Sequence, residues 1–207
     1  MLLRSDDVAR RKKERGATLV EAALVTPLFL LLILGVVEVS LVLFNTNALQ
    51  NGSRLAARQA SASATDAYAD FTSLKFSLQA IGTMSNSLDA IIIFRADRPS
   101  GSLPSSCLTA LNGGQSGVVG ECNIYRGDQA KTADKLNFGF TYGSNEDYTL
   151  WDQYWPPTSR FDAITETVGP DFVGVYVQAQ HSSLTGLIPH RKMTATSVFQ
   201  IEPQRAL

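Results

Sequence analysis

From Ala17 to Phe44 the chain runs for 28 residues with Glu21 and Glu38 as its only charged side chains, and no other feature constrains its folding as much. A helix rises about 1.5 Å per residue, so a hydrocarbon layer of ~30 Å takes roughly 20 residues to cross. The run therefore predicts a membrane-spanning helix over residues 17–44. Pro27 lies inside it, where the missing N–H removes one backbone bond and invites a kink.

The flanks predict which way the helix points. Arg10-Arg11-Lys12-Lys13-Glu14-Arg15 precedes the run, whereas the first basic residues after it are Arg54 and Arg58. The basic side stays in the cytoplasm, so residues 1–16 read as a cytoplasmic leader and the C-terminal part as exported. A cleaved secretory signal also starts basic and turns apolar, but its apolar stretch is usually about 7–15 residues and ends at a small-residue cleavage site. Here the run is longer, and no such site follows at once.

Residues 61–207 carry ten basic and fourteen acidic side chains. That balance excludes a nucleic-acid partner, which needs a basic face to displace phosphate counterions. The two cysteines, Cys107 and Cys122, both fall in the exported part, where they can pair or stay as buried thiols; paired, they would close a loop worth about 3 kcal/mol.

Glu21 and Glu38 stand 17 residues apart, about 26 Å along a helix, and so bracket the hydrocarbon core. For Glu38, reaching up to a headgroup layer is a sufficient account. Glu21 has more telling neighbours. Arg15-Gly16-Ala17-Thr18-Leu19-Val20-Glu21, followed directly by the apolar run, resembles the processing site of type IV prepilins and pseudopilins. That resemblance implies cleavage by a prepilin peptidase between Gly16 and Ala17, with Glu21 fifth in the mature chain. A glycine at the cut suits an extended backbone in a narrow cleft. The new amine of Ala17, with a reference pKa of about 7.7–8.0, would be a cation that Glu21 of a neighbouring subunit can pair with, setting register.

The longer pattern resembles the TadE-like pseudopilins of tight-adherence (Tad/Flp) pilus systems. It consists of Val20-Glu21, Pro27, Gly35-Val36-Val37-Glu38 and Asn51-Gly52-Ser53-Arg54-Leu55-Ala56-Ala57-Arg58. Ala22 departs from the phenylalanine frequent in that family. The resemblance implies assembly roles for Glu21, Pro27 and Glu38, and other pilins or pseudopilins of the Tad system and the lipid bilayer as partners. It also implies residence in the bacterial cytoplasmic membrane.

Beyond Phe44, apolar and small residues at three- and four-residue steps predict a helical stalk over 45–64, with Ala48, Gly52 and Ala56 available for close helix packing. Residues 65–207 read as a small extracytoplasmic domain. A helix is expected over Phe71–Met84, and strands over Ala90–Arg95, Cys122–Arg126, Phe172–Gln180 and Met193–Ile201. The fold class is therefore α+β and pilin-like: a long N-terminal helix leading into a domain with an antiparallel sheet. The Gly-, Ser- and Pro-rich interval from Arg98 to Gly120 reads as a long surface loop tied down by the cysteines.

Little in the sequence points to catalysis, to a cofactor or to a metal. It has no phosphate-binding glycine loop, no H-E-x-x-H and no C-x-x-C, and its histidines are His181 and His190. A hydrolase built from His181, Ser182 or Ser183, and Asp171 fails because adjacent strand residues point to opposite faces. The aromatic run around Trp151, Tyr154 and Trp155 offers interface anchors, or else a loop packed on its own domain. The expectation is a non-enzymatic minor pilin or pseudopilin acting in Tad pilus biogenesis and adhesion. Its competitor is an uncleaved, membrane-anchored binding protein.

Overall fold

The computed structural model describes residues 5–63, 65–144, 147–164, 169–183, 185–186 and 189–203, with side chains from Thr18 onward. A single helix, α1 (Ser5–Ala62), passes through Pro27 without interruption. The chain divides into two compact units. One comprises residues up to Val42 together with Ser183–Pro189, and the other Leu43–Ser182 together with the residues from His190.

In the first unit nearly every apolar side chain of α1 is exposed, Leu24 at 74% and Leu28 at 72% among them. A soluble core helix would hide that surface. This helix is long and apolar enough to cross a membrane and is consistent with a membrane anchor.

The second unit is α+β, as expected. After α2 (Ala69–Ile81) come β1 (Leu88–Ala96), α3 (Ser105–Asn112), β2 (Gly117–Val118), β3 (Cys122–Arg126), α4 (Gly127–Lys131), β4 (Phe172–His181) and β5 (Arg191–Gln200). The strands form one sheet of order β2-β3-β1-β4-β5, antiparallel at every pairing. Strand β1 reads as a continuous apolar run because it is central and covered on both faces. Ile91 and Ile93 enter the core that holds Leu49, Ala56, Ala57 and Ala60 of α1 and Leu74 and Ile81 of α2. Ala90, Ile92 and Phe94 point the other way, to Cys107, Ala110 and Leu111 of α3.

Two close approaches rest on glycine. A Cβ at Gly52 would overlap the Ile81 side chain, and one at Gly174 would overlap the Phe94 ring across the β1–β4 pairing. Of the small residues flagged on α1, Gly52 and Ala56 are thus used within the chain, against its own α2 and core.

The interval from Arg98 to Gly120 corrects the sequence reading. It is not a long loop, because α3 lies within it and is buried through Cys107, Ala110 and Leu111. Cys107 and Cys122 form a disulfide with a Cα–Cα distance of 6.3 Å, joining α3 to the start of β3. The element boundaries otherwise differ by a few residues, with α2 giving way at Gly82 to a 3-10 turn, Gly82–Ser87.

Candidate assembly region and its supporting core

The helical rise that makes α1 long enough to span a bilayer also spaces its polar residues. Gly16 lies within the helix as backbone, while the side chain of Ala17 is outside the described residues. Cleavage after Gly16 would require this turn to open, since a peptidase takes its substrate extended. Glu21 is exposed, and among the described residues it has no hydrogen-bond or ion-pair partner. Pro27 is exposed as well, and its ring leaves the carbonyl of Ala23 without the usual i+4 donor.

Glu38 differs from both. It is fully buried, and its Oε2 accepts hydrogen bonds from the backbone N–H of Thr185 at 3.3 Å and from Thr185 Oγ1 at 3.2 Å. The three residues expected to act together in assembly therefore have different surroundings. Glu21 and Pro27 face outward, whereas Glu38 is engaged by the chain's own segment.

Within the second unit, α1 continues to meet the β4–β5 hairpin through polar contacts. Asn45 Nδ2 lies 3.1 Å from His181 Nδ1, Ser53 Oγ lies 3.0 Å from Ser197 Oγ, and Ser61 Oγ donates to the carbonyl of Gln200. Asn45, Ser53 and Ser61 follow one another at eight-residue steps, so the line of contact winds around the helix by about 80° per step. Arg54 and Arg58 are exposed instead.

Under the sheet lies a buried ionic centre. Asp70 of α2 receives hydrogen bonds from Tyr125 Oη at 2.7 Å, Asn123 Nδ2 at 2.9 Å and Arg160 Nη2 at 2.5 Å. Both side chains of the Asp70–Arg160 pair are excluded from water, and the Arg160 guanidinium sits 4.3 Å over the Trp155 ring. Asn123 also donates to the carbonyl of Trp155 and accepts from its N–H, both at 2.9 Å. Burial, with the Asp70 charge adding to it, raises the Tyr125 phenol well above its ordinary value. Asp152 accepts from the N–H groups of Gly139 and Phe140. Burial pushes its pKa up to about 6, against the lowering effect of the Gly139 hydrogen bond and with help from Asp70.

This centre places the aromatic run. Trp155 is 3% exposed, Trp151 packs edge-on against Phe138 at 5.7 Å, and Tyr154 covers Gly117. These rings are engaged inside the domain. The outward-facing rings near them are Tyr142 and Tyr148. The proposed hydrolase residues are also scattered: Asp171 pairs with Arg95 at one end of β4, and His181 lies at the other, about 30 Å away along the strand. An open groove of about 770 Å³ lies beside the disulfide, lined by Arg95, Ser105, Ser106, Glu121, Asp171 and Gln200 among others, with Arg95 and Asp171 paired to each other and Ser106 bonded to Glu121.

Residues 16–58 match the family model of the TadE-like proteins. The TadE-like match begins at the glycine of the expected cut and ends at the second exposed arginine, so it lies wholly within α1. No curated protein and no solved structure matches the chain. The sheet, the disulfide and the ionic centre lie outside the TadE-like region.

The residues that sequence reading missed are Asp70, Asn123, Tyr125 and Arg160. They converge from positions up to 90 apart in the chain, and no local spacing announces such a cluster. The one available signal was a charged residue, Asp70, beside the apolar face of a helix.

Proposed function

We propose that this chain is a minor pilin or pseudopilin of a Tad pilus. In this reading a prepilin peptidase cuts after Gly16, residues 17–44 hold the mature chain in the cytoplasmic membrane, and residues 65–207 fold outside it. The observation that carries the reading is the TadE-like match starting at Gly16 and running along a helix with unpartnered apolar sides. Glu21, exposed on that helix, supplies the carboxylate for the α-amine of an adjacent subunit. The protein's part is then mechanical: it joins or primes the filament by packing its helix among others, and its outer domain caps the filament or recruits to it.

Complementation tests this. In a Tad-piliated strain lacking the gene, the wild-type chain restores pilus display, whereas Gly16→Val and Glu21→Ala chains reach the membrane at normal level but do not restore it. Full restoration by Gly16→Val contradicts processing, and restoration by Glu21→Ala removes the register role.

A further inference from the structure

The two edges of the sheet differ. On one side β2 is two residues long, and the ring of Tyr154 lies over Gly117. On the other side β5 runs for ten residues in unbroken register with β4. Two hydrogen bonds tell which of its main-chain groups point outward. The Ile201 N–H reaches the carbonyl of Asp171, so the odd-numbered residues of β5 bond to β4 and the even-numbered ones face away. Gln200 does face away, since its carbonyl accepts from Ser61 Oγ. Among the described residues, the outward N–H and C=O groups of Thr194, Thr196 and Val198 have no partner. Natural edges are usually guarded by charge, proline or a bulge, and from Met193 to Ile201 this strand has none of them.

We propose that the β5 edge is an interaction surface whose occupant is β5 of a second copy, added antiparallel on a two-fold axis at Thr196. Three observations select this occupant. The open groups are symmetric about Thr196, so Thr194 of each copy meets Val198 of the other. The strand ends are complementary: Arg191 and Lys192 are exposed at one, and Glu202 is exposed just past the other, so reversal brings cations to a carboxylate. Phe199, 39% exposed, falls opposite Met193 of the other copy. Reversal also runs the Leu43–Ala62 part of α1 in opposite directions, because Asn45 lies at the His181 end of the β4–β5 hairpin and Ser61 at its Gln200 end. The pair therefore suits copies carried on opposing surfaces. It is separate from the helix packing proposed for the filament and does not depend on it.

The test uses the full chain in detergent. Thr196→Cys, Thr194→Cys and Lys192→Cys are made singly at exposed positions, and the native cysteines, being paired, do not react. On the axis the two Cα atoms stand about 5.5 Å apart, within disulfide reach. At Thr194 they stand about 13 Å apart and at Lys192 about 26 Å. Mild oxidation should therefore convert Thr196→Cys to a covalent dimer of doubled mass and leave the other two monomeric on non-reducing gels. Thr196→Pro, which removes the outward donor and spares the β4 ladder, should halve the mass measured by light scattering without lowering the melting temperature. If that variant unfolds, the cysteine series decides. Equal cross-linking at all three positions would mean association through α1 alone and overturn the proposal. A monomeric Thr196→Cys chain would overturn it too, as would an adduct of Thr196→Cys with a different protein in membranes of the expressing cells.

Discussion

The two halves of α1 are one unbroken helix in opposite situations. From Thr18 to Val42 its apolar side chains are exposed and Glu38 is the one fully buried residue, whereas from Leu43 to Ala62 it alternates, with Leu49, Ala56, Ala57 and Ala60 fully buried and Arg54 and Arg58 exposed. Helical propensity does not separate them. What differs is the partner: the second half has its own sheet and α2, and the first half leaves its apolar surface uncovered, consistent with a membrane anchor. Folding energy therefore concentrates in one half, and the capacity for association in the other.

That contrast can be broken most severely at the ionic centre. Replacing Asp70 with Ala leaves Arg160 charged and dry, and losing one partner of such a pair typically costs about 3–5 kcal/mol. In detergent, the domain's melting temperature should fall steeply while the helix content of α1 survives, and an unchanged melting temperature would mean that the pair is not buried in solution. A glycine pair gives a gentler comparison. Gly52→Val meets Ile81 and should cost about 1–3 kcal/mol, since added bulk in a packed core forces displacement. Gly35→Val has open space around it and should leave the domain's melting temperature unmoved. Equal effects at the two sites would erase the distinction between the halves.

The smallest effect is on pH dependence. Asp152 has its pKa raised from 3.8 to about 6, so the folded chain takes up this proton more readily than the unfolded one. Its contribution opposes folding at neutral pH and fades as pH falls through 6 towards 4. Wild-type protein should accordingly gain stability relative to Asp152→Asn over that window. A difference that stays flat with pH would place Asp152 in contact with water.

How much of this was legible in the sequence depends on the range of the interactions. The apolar helix was, because 28 residues of one character need no long-range information. Strands β1, β3, β4 and β5 were, because each carries β-branched or aromatic residues in a short stretch bounded by turn signals. Helix α3 was hidden: it has eight residues, its buried stripe is only Cys107, Ala110 and Leu111, and its surroundings have the composition of a loop. Composition marked the aromatic run as unusual, but whether Trp155 faces a partner or its own core is decided by Asn123 and Arg160, which no local pattern connects to it. Glu38 shows the same limit. Its place in the apolar run was plain, and its tie to Thr185, 147 residues away, was not.

The central claim, that this is a processed pilus-associated subunit held by the first half of α1, is tested most directly at the N-terminus. The protein should be taken from membranes of cells with and without the prepilin peptidase, and its intact mass and first residues determined. The account predicts a chain beginning at Ala17 only where the peptidase is present. A chain that retains Arg10–Gly16 in both strains would contradict it.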